Sequence, residues 1–346
     1  MVIPSLHKLL SDDLAIDLGT VNTLVYARGR GIVVSGPSLV AVKRDTGDVV
    51  AVGMEALEMM GRSPRDITLI RPLREGVVAD AELAGKMLEQ FIRRARGGFS
   101  RISKHIILGI PPRLTDIECR AVRAAANEAG ASRVYLISQG LAAALGAGLP
   151  VTEPNAVMIV DIGGALTSIT VIAGARAVLA ESAPVGGSLM DAAIVDYFKR
   201  EHGLIVGERS AERVKMELGS ALPPEEGRTT QIIGQSVIRD APEMVTISAE
   251  EVYEVIYPIV EGIVEAVKRS FEGVPPDAAA DIYIRGITLT GGGSLLTGLT
   301  QLLAKETGLK IKIAENPLHS VALGAGKLFD NPLLLRRVVR ESGCAV

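Results

Sequence analysis

Two stretches decide how this sequence folds: Leu14-Ala15-Ile16-Asp17-Leu18-Gly19-Thr20 and Ile159-Val160-Asp161-Ile162-Gly163-Gly164. In each, an apolar run of the length of one buried strand ends in a carboxylate, one more apolar residue and a glycine that lets the backbone turn sharply. Each is followed by further short β-type runs, Thr23–Ala27 and Ile32–Val34 after the first, Thr167–Ile172 and Ala177–Ser182 after the second. Each therefore opens a meander. The two openings lie about 144 residues apart, too far for a solenoid period, so the natural reading is a duplicated domain.

Around these openings strand-like and helical patterns alternate, the signature of α/β architecture. Asp80–Ala95 reads as an amphipathic helix, Ile106–Ile110 as a strand, and Asp116–Ala129 as a helix opened by a Thr115…Glu118 capping box and stopped by Gly130. Val134–Ile137 returns as a strand. In the second half, helical patterns near Ser188–Arg200 and Ser210–Ser220 precede a loose stretch from Pro223 to Gly234. A long helix from a Ser248…Glu251 box to about Glu272 follows, and Ile282–Leu289 reads as the last strong strand.

Composition agrees with this architecture. The chain has 346 residues, 48% of them hydrophobic but only 3% aromatic and none Trp, which suits two lobes with Val/Ile/Leu/Ala cores and parallel strands covered by helices. A net charge of −3 and few aromatics give no drive toward nucleic acid. Cys119 and Cys344 are the only cysteines, an arrangement expected of a reducing compartment and not of a disulfide scaffold. His7, His105, His202 and His319 show no metal-ligand spacing. Met1–Asp12 lacks the features of a signal peptide, and no run of ~20 uncharged apolar residues is present to span a bilayer.

The chemistry concentrates at the turns. Gly19 lets backbone amides face a phosphate, Thr20 adds a hydroxyl, and Asp17 suits a hydrated Mg²⁺, which keeps its waters and takes few protein ligands. Asp161, Gly163 and Gly164 repeat the arrangement, so two turns in matching positions can clamp one phosphate chain from opposite sides. A third element, Gly291-Gly292-Gly293-Ser294, follows a strand and precedes a helical pattern from about Leu295 to Glu306, where an adenine or α-phosphate can approach the backbone and a helix N-terminus. Glu212 and Lys215 share a helix face, as ribose contacts or as a surface ion pair contributing at most ~0.5 kcal/mol.

The strings Ile16-Asp17-Leu18-Gly19-Thr20-Val21-Asn22-Thr23-Leu24, Ile70-Arg71-Pro72-Leu73, Ala142-Ala143-Ala144-Leu145-Gly146-Ala147-Gly148-Leu149-Pro150, Gly207-Glu208-Arg209-Ser210-Ala211-Glu212, Leu289-Thr290-Gly291-Gly292-Gly293 and Glu315-Asn316-Pro317-Leu318 resemble the MreB family of bacterial actin homologues. The resemblance runs from about Asp12 to Phe329. It implies an α/β, actin-like (ribonuclease H-like) duplicated fold, two lobes with a nucleotide cleft between them and four subdomains. Residues 12–34 and 78–143, with 319–330 returning, would form subdomain IA, and 35–77 subdomain IB. Residues 144–183 and 246–318 would form IIA, and 184–245 IIB, with an amphipathic segment at 1–11 and a basic amphipathic tail at 331–346.

The resemblance also implies ATP or ADP with Mg²⁺ held through water by Asp17 and Asp161. It makes Thr20, Val21 and Asn22 phosphate-loop positions, Glu212 and Lys215 ribose contacts, and Gly292, Gly293, Ser294 and Leu295 adenine-side positions. Its implied partners are the chain itself, in double protofilaments, anionic lipid on the inner face of the cytoplasmic membrane, and the cell-wall synthesis and shape proteins with which such filaments set rod shape. The rival readings on the same fold are a non-polymerising nucleotide-sensing scaffold, and a sugar kinase or chaperone-type ATPase. Only 17 residues follow Phe329, where a chaperone of that kind would be expected to carry a substrate-binding domain.

The sequence departs from the family at its second turn. Where relatives read Asp-Ile-Gly-Gly-Gly-Thr-Thr-Glu, this chain reads Asp161-Ile162-Gly163-Gly164-Ala165-Leu166-Thr167-Ser168. Leu166 removes a hydroxyl from where the family positions the terminal phosphate or its attacking water. Ser138-Gln139-Gly140 replaces Glu-Glu-Pro, and Ser188 replaces the acid of a Gly-Gly-Asp motif, while Asp191 is retained. Gln139 and Thr167 are left as the candidates to orient a water. Phosphoryl transfer depends on positioning and electrostatics, so the expectation is retained nucleotide binding with slow or absent hydrolysis.

Arg93, Arg94, Arg96, Arg101 and Lys104 surround Gly97-Gly98-Phe99-Ser100, with Ile102 beside it. Phe99 and Ile102 among cations are expected to enter an anionic bilayer interface, with Val2–Leu10 as a second candidate anchor. The tail alternates Leu333, Leu334, Leu335, Val338 and Val339 with Arg336, Arg337 and Arg340, a pattern that serves either a docked helix or a membrane contact.

Overall fold

The structure is a computed structural model that describes residues 13–96, 103–111 and 115–341. The first lobe is built on β1 (Leu14–Leu18), β2 (Asn22–Ala27) and β3 (Gly31–Pro37), an antiparallel meander. A small sheet of β4 (Val40–Lys43), β5 (Val49–Val52) and β6 (Ile67–Ile70), with α1 (Met54–Glu58), follows. The hairpin β7 (Leu73–Arg74) and β8 (Val77–Val78) leads to α2 (Ala81–Arg96), β9 (Ser103–Ile110), α3 (Asp116–Glu128), β10 (Ala131–Ser138) and α4 (Gln139–Gly146). The main sheet runs β10-β9-β1-β2-β3, with β9 and β10 parallel to β1.

The second lobe repeats this order. The strands β11 (Val157–Ile162), β12 (Thr167–Ala173) and β13 (Arg176–Ala183) form its meander. They lead through α5 (Gly187–Glu201), β14 (Leu204–Ile205) and α6 (Glu208–Leu218) to an outer sheet completed by β15 (Thr229–Ser236) and β16 (Pro242–Ser248). After α7 (Ala249–Glu272) and α8 (Pro276–Arg285) come β17 (Ile287–Thr290), α9 (Leu299–Thr307) and β18 (Ile311–Ile313). The main sheet is β13-β12-β11-β17-β18, again three antiparallel strands and then two parallel ones. In both lobes the Asp-bearing strand is central, and its C-terminal end points at the other lobe's counterpart.

Both capping boxes form. Thr115 and Ser248 accept from the backbone of Glu118 and Glu251, whose carboxylates reach back, each cap contributing about 1 kcal/mol. Two expectations change. Ile282 begins no strand: Pro276 at the first turn and Ala278-Ala279-Ala280 favour α8, which lasts until Gly286, at φ 77, breaks it and releases the chain into β17. The loose stretch at Pro223–Gly234 contains the start of β15, whose alternating Ile232 (buried) and Ile233 (exposed) fit one covered sheet face.

Each lobe has its own apolar core, and a third core lies between the lobes. That core is made by α4 and α10 (Ser320–Lys327), which cross with backbone against backbone. A Cβ on Gly146 would run into the Ser320 carbonyl, and one on Gly324 into the Ala142 carbonyl. Lys327 Nζ donates to the Leu145 and Gly146 carbonyls at 2.8 and 3.3 Å, closing the end of α4. The terminal helix α11 (Pro332–Glu341) docks here through buried Val338, with Leu334, Leu335 and Val339 packed around it, while Leu333 stays exposed. The docked reading of the tail therefore holds for α11.

Cys119, buried on α3, is disulfide-bonded, which runs against the reducing compartment expected from two cysteines so far apart in sequence. Phe99, Ile102 and the 1–11 segment lie outside the described residues. Of the cations flanking Phe99, Arg94 is engaged within its own lobe, by Glu55 at 3.0 Å and the Val52 carbonyl at 3.3 Å. Among the described residues no helix is long and apolar enough to cross a membrane.

Candidate nucleotide cleft

A cavity of about 450 Å³ opens between the lobes where the central strands end. Its walls are two four-residue turns. Gly19-Thr20-Val21-Asn22 follows β1, and Ser38 steadies it by donating to the Gly19 carbonyl at 2.5 Å and meeting the Thr23 hydroxyl at 2.8 Å. Gly163-Gly164-Ala165-Leu166 follows β11 and is closed by the Gly163 amide donating to the Leu166 carbonyl at 2.8 Å. The turns meet across the gap, with Val21 packed so closely on Gly164 that a side chain there would collide with it.

The floor carries the charge. Asp17 is pushed up to about 7, chiefly by burial and then by the nearby Asp161, with partial relief from the Gln139 amide that donates to its Oδ1 at 3.0 Å. Burial pushes Asp161 up to about 6. Two facing carboxylates at the floor of a partly enclosed cleft resist ionising together, and a cation would remove that conflict. Among the described residues no group of three or more His, Cys, Asp or Glu is arranged to hold a metal. The donor set therefore suits an ion that keeps most of its coordination for water and phosphate.

The glycine-rich element flanks Asp161. Gly291, at φ 80, brings its Cα so near the Asp161 carboxylate that an added Cβ would lie 2.5 Å from Oδ1, which only glycine permits. A 3₁₀ turn at Gly292–Leu295 follows, and Gly298, in the left-handed conformation, delays α9 to Leu299. The helix N-terminus expected beside Leu295 thus lies four residues further on. On the facing side, α6 presents Glu212, Lys215 and Met216. Lys215 pairs with Asp191 at 2.8 Å and donates to the Gly187 carbonyl at 3.0 Å, so its partner is Asp191 and not Glu212. Asp191 is raised by burial, partly offset by Lys215.

Asp17, Gly19, Thr20, Val21, Asn22, Gln139, Asp161, Gly163, Gly164, Ala165, Glu212, Lys215, Gly291, Gly292, Gly293 and Leu295 all line this one cavity. Two expected residues do not. Thr167 is fully buried and its hydroxyl donates to the Val185 carbonyl at 2.8 Å, because as the first residue of β12 it faces the core. Ser294 is also buried, its hydroxyl turned back onto the Gly291 carbonyl at 2.6 Å. Sequence reasoning missed Gly76, whose backbone amide donates to Thr20 Oγ1 at 3.0 Å, and the apolar Leu296, Leu318 and Val321. It also missed the first-lobe counterpart of the glycine-rich element: β9 pairs Gly109 with Asp17 as β17 pairs Thr290 with Asp161.

Duplicated five-stranded sheets, crossed helices between them and paired acidic turns over a shared cleft define an actin-like protein. The profile of the MreB/Mbl protein family matches residues 11–336. The chain is 43% identical over 327 residues to the cell shape-determining protein MreB of Escherichia coli K12, covering 93% of this chain and 94% of that one. It is 40% identical over 325 residues to the cell shape-determining protein Mbl of Bacillus subtilis, at 93% and 97% coverage. MreB5 of Spiroplasma citri bound to ADP superposes with a TM-score of 0.87 at 32% identity, over 94% of this chain and 98% of that one. The same protein bound to AMPPNP gives 0.86 at 33%, over 93% and 96%. This chain belongs to the MreB/Mbl family and is an actin-like cytoskeletal protein of the cell shape-determining kind.

Proposed function

We propose that the cleft binds ATP and ADP with Mg²⁺, and that the nucleotide state governs assembly of this chain into membrane-bound double protofilaments. The observation that carries the reading is the facing of two equivalent turns, each with a half-buried carboxylate at its base, over one cavity. Backbone amides of Gly19–Asn22 and Gly163–Ala165 would take the phosphates, Glu212 and Lys215 the ribose, and Gly292, Gly293 and Leu295 with Leu318 the base. The bound ion would neutralise charge between the carboxylates and the phosphates.

Hydrolysis is slow in this reading. Gln139 can orient a water through its amide but gives one N–H to Asp17, and neither Ala165 nor Leu166 offers a side-chain donor. Phe99 and Ile102 are assigned to an anionic membrane on the inner face of the cytoplasmic membrane, with cell-wall synthesis proteins as further partners. We assign subdomains IA and IIA to the two main sheets and IB and IIB to the two outer ones; β3 carries the first main sheet on to Pro37 and β16 the second outer sheet on to Ser248, a few residues past the bounds expected from sequence. Electron microscopy of the purified protein with ATP and anionic liposomes tests assembly: filaments on the vesicles support it, and dispersed monomers at concentrations where relatives polymerise favour a nucleotide-sensing scaffold. Single-turnover phosphate release tests the chemistry, and a rate equal to that of relatives refutes slow hydrolysis.

A further inference from the structure

Ser38 holds the first turn at two points. Its amide donates to the Val21 carbonyl at 2.8 Å, and its hydroxyl donates to the Gly19 carbonyl at 2.5 Å. A serine hydroxyl has a single proton to give. With that proton on Gly19, the 2.8 Å contact to Thr23 Oγ1 runs the other way, and Thr23 donates to Ser38. Two hydroxyls thus form a chain that ends on the Gly19 carbonyl, each bond polarising the next. Ser38 and Thr23 are both fully buried, so water does not compete for it.

The planarity of the peptide decides what this does to the turn. In a trans peptide the carbonyl and the amide that follows it point in opposite directions, and both peptides here are trans. Fixing the Gly19 and Val21 carbonyls on Ser38 therefore turns the Thr20 and Asn22 amides away from it. Thr20 and Asn22 line the cavity, whereas Ser38 is sealed in the core behind the turn, so away from Ser38 is toward the cleft. Among the described residues the Thr20 amide has no protein acceptor.

The second turn is anchored differently. The carbonyl that matches that of Gly19 belongs to Gly163, and the Gly187 amide holds it at 3.0 Å; the Ser188 amide holds the Gly164 carbonyl at 2.8 Å. Of these four anchors only the one on Gly19 is a side chain.

We propose that Ser38 is a positioning residue for phosphate binding, which keeps the Thr20 and Asn22 amides aimed into the cleft and makes the first lobe's hold on phosphate depend on one buried hydroxyl. This rests on the nucleotide-binding reading given above. Ser38 acts only through the Gly19 and Val21 carbonyls. Without its hydroxyl the peptide between Gly19 and Thr20 is free to rotate, and each anion that binds has to reorder it.

The test compares dissociation constants for ADP with Mg²⁺ and for adenosine, which has no phosphate to meet the turn, in the wild-type chain, Ser38→Ala, Ser38→Thr and Thr23→Val. Ser38→Ala is expected to weaken ADP by about five- to tenfold, the net effect of one hydrogen bond, and to leave adenosine unchanged. Ser38→Thr keeps the hydroxyl and should recover most of the loss, and Thr23→Val, which removes only the donor to Ser38, should weaken ADP by a smaller factor. Equal losses for ADP and adenosine in Ser38→Ala would give Ser38 a structural role only and overturn the proposal. An unchanged ADP affinity overturns it too, as does a folded Ser38→Thr that binds no better than Ser38→Ala. Melting curves without nucleotide establish folding; if Ser38→Ala does not fold, Thr23→Val decides, and a wild-type ratio of the two constants in that variant overturns the proposal. Failure of ADP to bind the wild type would instead overturn the nucleotide reading.

Discussion

Arg71 and Glu208 join the two lobes by an ion pair of 3.2 Å, from the strand edge beside the Gly76 hairpin to the first residue of the helix that presents Glu212 and Lys215. Glu208 is 65% exposed, and pairs of this kind contribute about 0.2–1 kcal/mol and are screened by salt. Arg71→Ala or Glu208→Ala should therefore speed release of a fluorescent ADP by about two- to fivefold at low ionic strength, and little in strong salt. The swapped pair Arg71→Glu with Glu208→Arg should recover most of the difference. Equal release rates in all variants at low salt would remove the pair from any account of closure.

Asp17 and Asp161 make the nucleotide-free protein pH-sensitive. Both have folded values, about 7 and about 6, above the ordinary 3.8, so the folded state holds protons that the unfolded chain has lost. The stability they contribute is full below about pH 4 and is lost as pH rises through 6 and 7. Melting temperature without nucleotide should fall across this window, and Asp17→Asn should flatten the fall while weakening Mg²⁺-nucleotide binding. A curve for Asp17→Asn that parallels the wild type would show that the carboxylate pair is not its source.

Lys215 and Asp191 stand or fall together. Lys215→Ala would leave the Asp191 carboxylate, only 17% exposed, without its cation, costing stability on the order of 1–3 kcal/mol as well as nucleotide affinity. Asp191→Asn keeps an oxygen for Lys215 and should cost less of both. Urea unfolding alongside ADP titration separates the effects, and an unchanged midpoint for Lys215→Ala would deny the pair any structural role.

The helix crossing tolerates no added volume. Gly324→Ala would drive a methyl into the Ala142 carbonyl, and since both sides of the contact are backbone, the helices must separate, at a cost of about 1–3 kcal/mol. Chemical denaturation checks this directly. A loss under about 0.5 kcal/mol, the range of ordinary surface changes, would mean the crossing yields.

What the sequence revealed and what it concealed follow from where the information sits. The acidic turns were legible because strand, carboxylate and glycine are contiguous, and because the motif occurs twice. Both capping boxes were legible for the same reason. Gly76 was hidden: its contribution is a backbone amide and an absent side chain, and neither its neighbour Thr20 nor Leu166 is near it in sequence. Gly109 was hidden because a lone glycine at a strand end carries no motif, although its pairing with Asp17 mirrors that of Thr290 with Asp161. The stretch Ile282-Tyr283-Ile284 looked like a strand because its apolar residues suit one, yet its exposed Tyr283 and Ile284 lie on a helix. Thr167 was misplaced by one strand position, which in a β-ladder is the difference between cavity and core.

The residue that touches Asp17 on the cleft floor, Gln139, is also the first residue of the glycine-bearing helix on which the lobes cross. A lever and its trigger are thus one rigid piece eight residues long. At the far end Lys327 donates to the Leu145 and Gly146 carbonyls, so the cleft floor, the helix crossing and the tie to the facing helix all meet on one short rigid element.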